Sequence, residues 1–415
     1  MSGEPARKRP RLLVVTTTFP RWADDTEPRF VLDLSIRLLD EFDVVVLAPS
    51  APGAASHETI CGVPVVRYRY APRRAWESLA APGAILPNIR HRPLRALLVP
   101  GLLVAQAWAA HRLLRKHAFD AVHCHWIIPQ GLSLAMLRLV RATPPVLLTC
   151  HGGDAFTLNA GPMRRLKAWI VGAASAVTVV SAEIAGQIRS LGAAARARHI
   201  AHIPMGVDLE RFTARQRDAV EPGGRTVVLF VGRLAEKKGV EVLLRAMRTG
   251  PLASRHDIEL EIVGDGPLRV ALEGEARHPA LAGRVRFLGA LGHDSLPGVL
   301  AKADIFCAPF VVARDGDREG TPTVLLEAAA SGLAIVASDV GGVADIVEAG
   351  RSGWLVPAGH EDALAAALGD AADHPDLRRA MGAAARARVE AYSWDRIGAR
   401  YAEAIRGMLE PPDVR

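Results

Sequence analysis

Two glutamates eight residues apart, Glu319 and Glu327, lie in the stretch REGTPTVLLEAAASGLAIVASDVGG (Arg318–Gly342). Thr321 suits a helix N-cap, and Pro322 suits the first helical position, where a missing N–H costs nothing. LLEAAAS then reads as helix. Gly332 follows where a left-handed C-cap is wanted. AIVAS reads as a short buried strand, ending in Asp339 and a Gly-Gly pair. With Pro322 as the first helical residue, Glu327 is five positions on, ~7–8 Å along the axis. A phosphate at Gly320 and Thr321 would meet unsatisfied N–H groups and the positive end of the helix dipole. A carboxylate a turn further on reaches a hydroxyl attached to that phosphate. The layout suits a nucleotide: diphosphate at the cap, ribose beside Glu327, transferred group near Glu319. A solvated surface helix with two acids has the same spacing, so other clusters must decide.

GRLAEKKG (Gly232–Gly239) follows an apolar strand and offers Arg233, Lys237 and Lys238 as charge-assisted partners for a diphosphate. VLLTCHGGDAF ends another buried strand in His151, Gly152, Gly153 and Asp154. Ligands of open α/β sheets bind at such carboxyl ends, and glycines permit close backbone approach. His151 and Asp154 could therefore grip hydroxyls of a polar ligand. His123-Cys124-His125 puts two imidazoles on one face of a strand. No third ligand has sensible spacing, so these read as strand-end histidines lining a cleft, and no metal site is assigned. Asp315-Gly316-Asp317 reads as a mobile turn. Gly264 and Gly266 begin a G-x-G-x-x-G motif, but Arg269 stands at its third glycine. No P-loop, G-x-S-x-G or H-E-x-x-H pattern occurs.

The elements that must hold these residues alternate strand and helix along the whole chain. RLLVVTTT, DVVVLAPS, AVHCHW, VLLTC, AVTVVS, HIPM, VVLFVG, IELEIVG, VRFLG, DIFCAPF, AIVAS and WLVP read as strands. Buried apolar strands between helices imply parallel sheets covered on both faces. The fold class is α/β. So many strands exceed one sheet, which predicts two doubly wound domains, 1–203 and 204–392, with a C-terminal helix over 393–415. In that helix Trp394, Ile397, Tyr401 and Ile405 recur at packing spacing. The polar TARQRDAVEPGG is the interdomain linker.

Charge separates along the same division. Residues 1–203 hold 25 Lys+Arg against 13 Asp+Glu, and residues 204–415 hold 26 against 31, which sums to the net +7. Residues 71–117 carry eight of those cations and one acid among many leucines, with a basic amphipathic helix expected from Ala105 to Lys116. This composition suits peripheral contact with an anionic membrane or a lipid-linked phosphate. No uninterrupted run of 18 apolar residues occurs, so no span is expected. The basic start of the chain reads as a tail before the first strand. Four scattered cysteines without C-x-x-C argue for a reducing compartment.

Together these segments resemble the retaining glycosyltransferases of the GT-B fold, family 4 (group 1), of the bacterial polysaccharide type. The resemblance runs from about Arg11 to Leu409. It rests on E-G-x-P-x-x-x-x-E (Glu319–Glu327), on GRLAEKKG and HGGD, on GVDLERF (Gly206–Phe212), and on DVGGVADIVEAGRSGWLVP from Asp339. It implies two Rossmann-like domains facing across a cleft. Arg233 and Lys238 would bind the donor diphosphate, with backbone N–H groups after Gly320. Glu327 would hold the ribose, and Glu319 and His151 would serve the transferred sugar. Gly152 and Asp154 are further sugar-side candidates. One departure is the first loop: family members carry Gly-Gly there, and this chain has FPRWADDTEPRF.

The implied reaction moves a hexose from a UDP- or GDP-sugar to a hydroxyl of a lipid-linked or surface-polysaccharide acceptor, with retention. No cofactor and no metal are expected, no nucleic acid, and a cytoplasmic or membrane-peripheral location. A nucleotide-sugar epimerase, a phosphorylase and a non-catalytic sugar-nucleotide binder are the alternatives, with a nicotinamide oxidoreductase behind them. Turnover of the donor without acceptor would mark the epimerase.

Overall fold

A computed structural model describes residues 9–80, 83, 85–192, 199–213 and 225–410. The start of the basic tail, nearly all of the TARQRDAVEPGG linker and the last five residues of the C-terminal segment lie outside these. The chain forms two compact units. One comprises residues 1–179, 185–203 and 395–415, and the other residues 180–184 and 204–394.

The first unit is an eight-stranded sheet. Its strands are β1 (Arg11–Val15), β2 (Asp43–Pro49), β3 (His57–Ile60), β4 (Val63–Tyr68), β5 (Ala121–His125), β6 (Val146–Cys150), β7 (Ala176–Val179) and β8 (Ile200–His202). Their order is β3-β4-β2-β1-β5-β6-β7-β8. All neighbours are parallel except β3 and β4. Leu12 to Val15 are fully buried, as an unbroken apolar run covered on both faces requires.

The β3–β4 hairpin is absent from the strands read off the sequence. Its turn is Cys61-Gly62, both at positive φ (48° and 83°), the backbone a two-residue hairpin needs. Cysteine is an unusual residue for that turn, so the signal is easily missed. The expected HIPM strand is displaced to Ile200–His202. Pro204, two residues beyond its end, has no N–H for a ladder. The expected basic helix is longer than the sequence indicated, Val99–Lys116. It buries Leu102, Gln106, Ala110 and Leu114, a stripe at i, i+4, i+8 and i+12. The C-terminal helix, Trp394–Leu409, buries Ile397, Tyr401 and Ile405 completely. The Tyr401 hydroxyl donates to Ile203 O at 3.1 Å.

The second unit is a six-stranded, all-parallel sheet of β9 (Thr226–Val231), β10 (Ile258–Val263), β11 (Val285–Gly289), β12 (Ile305–Ala308), β13 (Ala334–Asp339) and β14 (Trp354–Pro357). Its order is β11-β10-β9-β12-β13-β14. Strand order reverses between β9 and β12, and the crevice beyond their carboxyl ends is where such sheets hold ligands. In the first unit the same reversal lies between β1 and β5.

Candidate functional site

In the second unit, the β9 loop and the segment after β12 meet at the reversal. Lys237 and Lys238 end a single 3-10 turn, Glu236–Lys238, whose C-cap is Gly239 at φ 66°. Lys238 Nζ lies 3.1 Å from Glu319 Oε2, and Lys237 Nζ lies 3.3 Å from Glu319 Oε1. Lys238 also sits over the Phe310 ring, 4.7 Å from its centroid. Glu319 is only 7% exposed. Burial opposes its charge, but the two ammonium groups outweigh burial and hold its carboxyl down to about 2. Each ammonium has three donors, so it can serve a carboxylate and a phosphate together.

Asp317 belongs to this cluster. It is not a turn residue standing apart in solvent, since its carboxylate lies 3.3 Å from Lys237 Nζ and is 18% exposed. Burial raises its pKa, opposed by Lys237. The sequence reading stopped at the low apolar content of its loop, which says nothing about a partner 80 residues upstream. Arg233 is half-buried on the same loop as the lysines.

The helix bearing Glu327 starts one residue later than expected, at Thr323, with Pro322 at the N-cap position. Thr321 does not cap it: its hydroxyl donates to Val180 O. Gly332 ends the helix at φ 72°, as expected. Glu327 is 9% exposed, and its Oε1 lies 3.3 Å from His293 Nε2. His293 escaped sequence reading because its motif-free loop precedes β12 and is close to Glu327 only through the fold. The Glu319-Gly320 backbone is packed against Gly341 and Gly342. A Cβ on Gly341 would stand 2.1 Å from Glu319 O, and one on Gly342 would stand 1.9 Å from Gly320 O. The Gly-Gly pair after β13 is therefore required by close approach of two backbones.

In the first unit, His151 follows β6 directly. Its Nε2 lies 2.9 Å from His125 Nδ1. Trp126, at φ 71°, packs on it with ring centroids 4.6 Å apart, and Phe30 at 5.2 Å. His123 and His125 do share a face, with centroids 4.2 Å apart, but they line no surface. They are 0% and 1% exposed. His123 bonds Thr149 Oγ1 at 2.8 Å. Burial lowers all three rings, His123 and His151 to about 3 and His125 well below its usual range. They are neutral at physiological pH. Among the described residues no three His, Cys, Asp or Glu side chains are placed to hold a metal ion.

Asp154 differs from its expected role. Its Oδ2 accepts the Ile127 N–H at 2.9 Å, and its Oδ1 accepts those of His151 and Gly152 at 3.0 Å each. It ties the ends of β5 and β6 together. Gly152, at φ 131°, supplies the backbone turn that brings its N–H round to that carboxylate. The first loop is closed by Arg21 and Asp25, 2.5 Å apart. Glu27 accepts the Gly83 N–H at 2.8 Å. The segment thus delivers Phe30 to His151.

Residues 28–211 match the family described as Glycosyltransferase Family 4, and residues 212–388 match that described as Glycosyl transferases group 1. The chain is 35% identical to a phosphatidyl-myo-inositol mannosyltransferase of Mycolicibacterium smegmatis, over 70% of this chain and 73% of that protein. It is 32% identical to the GDP-mannose-dependent alpha-(1-6)-phosphatidylinositol monomannoside mannosyltransferase of the same organism, over 72% of this chain and 79% of that one. In fold it is similar to the sucrose-phosphate synthase of Thermosynechococcus elongatus, with a TM-score of 0.79 at 22% identity, over 96% of this chain and 99% of that one. The chain belongs to the group 1 glycosyltransferases of the GT-B fold, and it is a hexosyltransferase.

Proposed function

We propose that the enzyme moves a hexose from a nucleotide-diphosphate sugar to a hydroxyl of a lipid-linked acceptor, with retention. The observation that carries this reading is the Lys237–Lys238–Glu319 cluster at the strand-order reversal of the second unit, beside the helix that bears Glu327. Arg233 and Lys238, with the backbone N–H groups after Gly320 and Thr321, bind the diphosphate. Glu327 takes the ribose hydroxyls and Glu319 meets the sugar, and His151 is the sugar-side candidate of the first unit. Glu319, held by two ammonium groups, is read as a binding group for the sugar and not as a covalent nucleophile. The acceptor therefore attacks from the face the phosphate leaves, and the departing phosphate helps to take its proton. The fixed cations stabilise that leaving charge without reorganising. No metal and no cofactor is required in this reading.

GDP-mannose is the first donor to test, because a relative at 32% identity is named for dependence on it. In a thermal-shift screen of GDP- and UDP-sugars, the cognate donor at a hundred times its Kd stabilises by about 2.7 kcal/mol. Glu327→Ala is expected to raise KM for the donor about tenfold to a hundredfold, the loss of one charge-assisted contact. Unchanged KM in that variant would sink the ribose assignment.

The acceptor side of the proposal rests on residues 93–116. Pro93–Lys116 is long and apolar enough to cross a bilayer by length and composition, although Arg95, Gln106, His111 and Arg112 interrupt its apolar run. One face is fixed to the protein, with Gln106 Oε1 accepting the Tyr68 hydroxyl at 3.1 Å. Leu94, Leu97, Val104 and Trp108 are left 62–80% exposed. We read this as a helix that lies on an anionic membrane at its cytoplasmic side. The full chain is expected to sediment with vesicles containing anionic lipid and not with neutral ones. Leu94→Ser with Leu97→Ser is expected to weaken that binding about tenfold, at ~0.7 kcal/mol per inserted side chain. Equal binding to neutral vesicles would overturn the electrostatic part, and no binding would overturn the whole.

A further inference from the structure

The buried histidines of the first unit carry a consequence for which ring nitrogen of His151 holds the proton. His125 and His151 share one hydrogen bond, Nδ1 of the first to Nε2 of the second, at 2.9 Å. Both rings are neutral, so one nitrogen donates and the other accepts. His125 Nε2 is buried and has no hydrogen-bond partner among the described residues. If His151 were the donor, His125 would carry its proton on that Nε2, leaving a buried N–H unsatisfied. If His125 is the donor, Nε2 keeps only a bare lone pair. Orphaned buried N–H groups are the rarer and costlier of the two. His151 Nδ1, the other nitrogen of the half-buried partner, makes no hydrogen bond among the described residues.

The position of His125 is itself fixed. It closes β5 and pairs with Thr149 in register. Its carbonyl accepts from the Gln130 side-chain N–H at 3.2 Å, and the Gln130 amide oxygen accepts the Thr17 N–H at 2.6 Å and hydroxyl at 2.8 Å. The His123 ring packs on its inner side. The ring therefore cannot swing away to release His151.

We infer that His125 is a positioning residue, which donates from Nδ1 to His151 Nε2 and so holds His151 as the Nδ1–H tautomer, presenting that N–H as a donor to an oxygen of the bound sugar. This rests on the reading of His151 as a sugar-side residue. Orientation of the ring and choice of tautomer are both set by the second imidazole, as ring nitrogens in general are set by the bond the other makes.

The test is 15N-detected NMR of the full chain labelled at histidine nitrogens, with the His151 signals assigned by their loss in His151→Ala. The expected result is a protonated Nδ1 and a bare Nε2 in His151 at pH 7. A protonated Nε2 overturns the inference whatever the activity. His125→Asn keeps an N–H donor near the Nδ1 position and is expected to retain turnover within about threefold. His125→Leu removes the donor and is expected to lower kcat about tenfold to a hundredfold with the donor KM little changed, as a misplaced group does. Equal loss in both variants would mark a packing role and overturn positioning. Full turnover in His151→Ala would instead overturn the sugar-side reading, and the tautomer signal would still decide the geometry on its own.

Discussion

Lys238→Ala is expected to lower kcat/KM for sugar transfer about 10²–10³-fold, the usual cost of losing one preorganised charge contact to a leaving group. The structure makes this lysine hard to replace. Its ammonium is 3.1 Å from Glu319 and sits over the Phe310 ring, so its direction is set before any ligand arrives. Lys237 is held elsewhere, its ammonium bridging Asp317 and Glu319 at 3.3 Å each. Steady-state kinetics with a saturating acceptor checks the result, and turnover within fivefold of the native enzyme would sink the diphosphate assignment. The same cluster has an acid signature. The Glu319 carboxyl is held from 4.5 down to about 2. A depressed carboxylate contributes stability above its unfolded pKa and loses it as pH falls through the folded one. The contribution is on the order of 3 kcal/mol. It is present above pH 4.5 and lost toward pH 2. Glu319→Gln should flatten the fall of Tm in that window.

Gly341→Ala should be the most disruptive small substitution near the site, costing about 2–4 kcal/mol. Two causes combine: φ is 65°, and the new Cβ would stand 2.1 Å from Glu319 O. Either the strand end or the Glu319 loop must move, so activity should fall further than stability. Gly350→Ala separates the causes. Its φ is 75° but nothing lies within 4 Å of its Cβ, so it should cost only about 1 kcal/mol and leave kinetics intact. Thermal unfolding and kcat for the pair check this. Equal effects in both would show that backbone strain alone matters and that the close approach does not.

Much of this site is legible in sequence because its parts are local. The helix with Glu327, its left-handed stop at Gly332, the strand before Gly341 and the cationic turn after β9 each announce themselves within about ten residues. Their readings failed where a residue's partner is distant. Thr321 has the right type for a cap, yet its hydroxyl goes to Val180. Asp154 is a mixed case: the N–H groups of His151 and Gly152 that it accepts are local, and only that of Ile127 comes from a distant strand end. His123 and His125 share the face that strand alternation requires, yet that face is covered, and covering is a property of neighbours.

By itself the sequence determined the α/β class, most strands of two parallel sheets, the charge division and the residue types that mark a family. These follow from hydrophobic periodicity and turn chemistry, which act between near neighbours in the chain. Only the tertiary structure decided that Lys237, Lys238, Asp317 and Glu319 form one charge cluster, that His293 stands by Glu327, and that His125 backs His151. Those pairings span from 26 to about 80 residues of chain. They exist because parallel strands bring loops distant in sequence to one carboxyl edge, β9 beside β12 in one sheet and β5 beside β6 in the other.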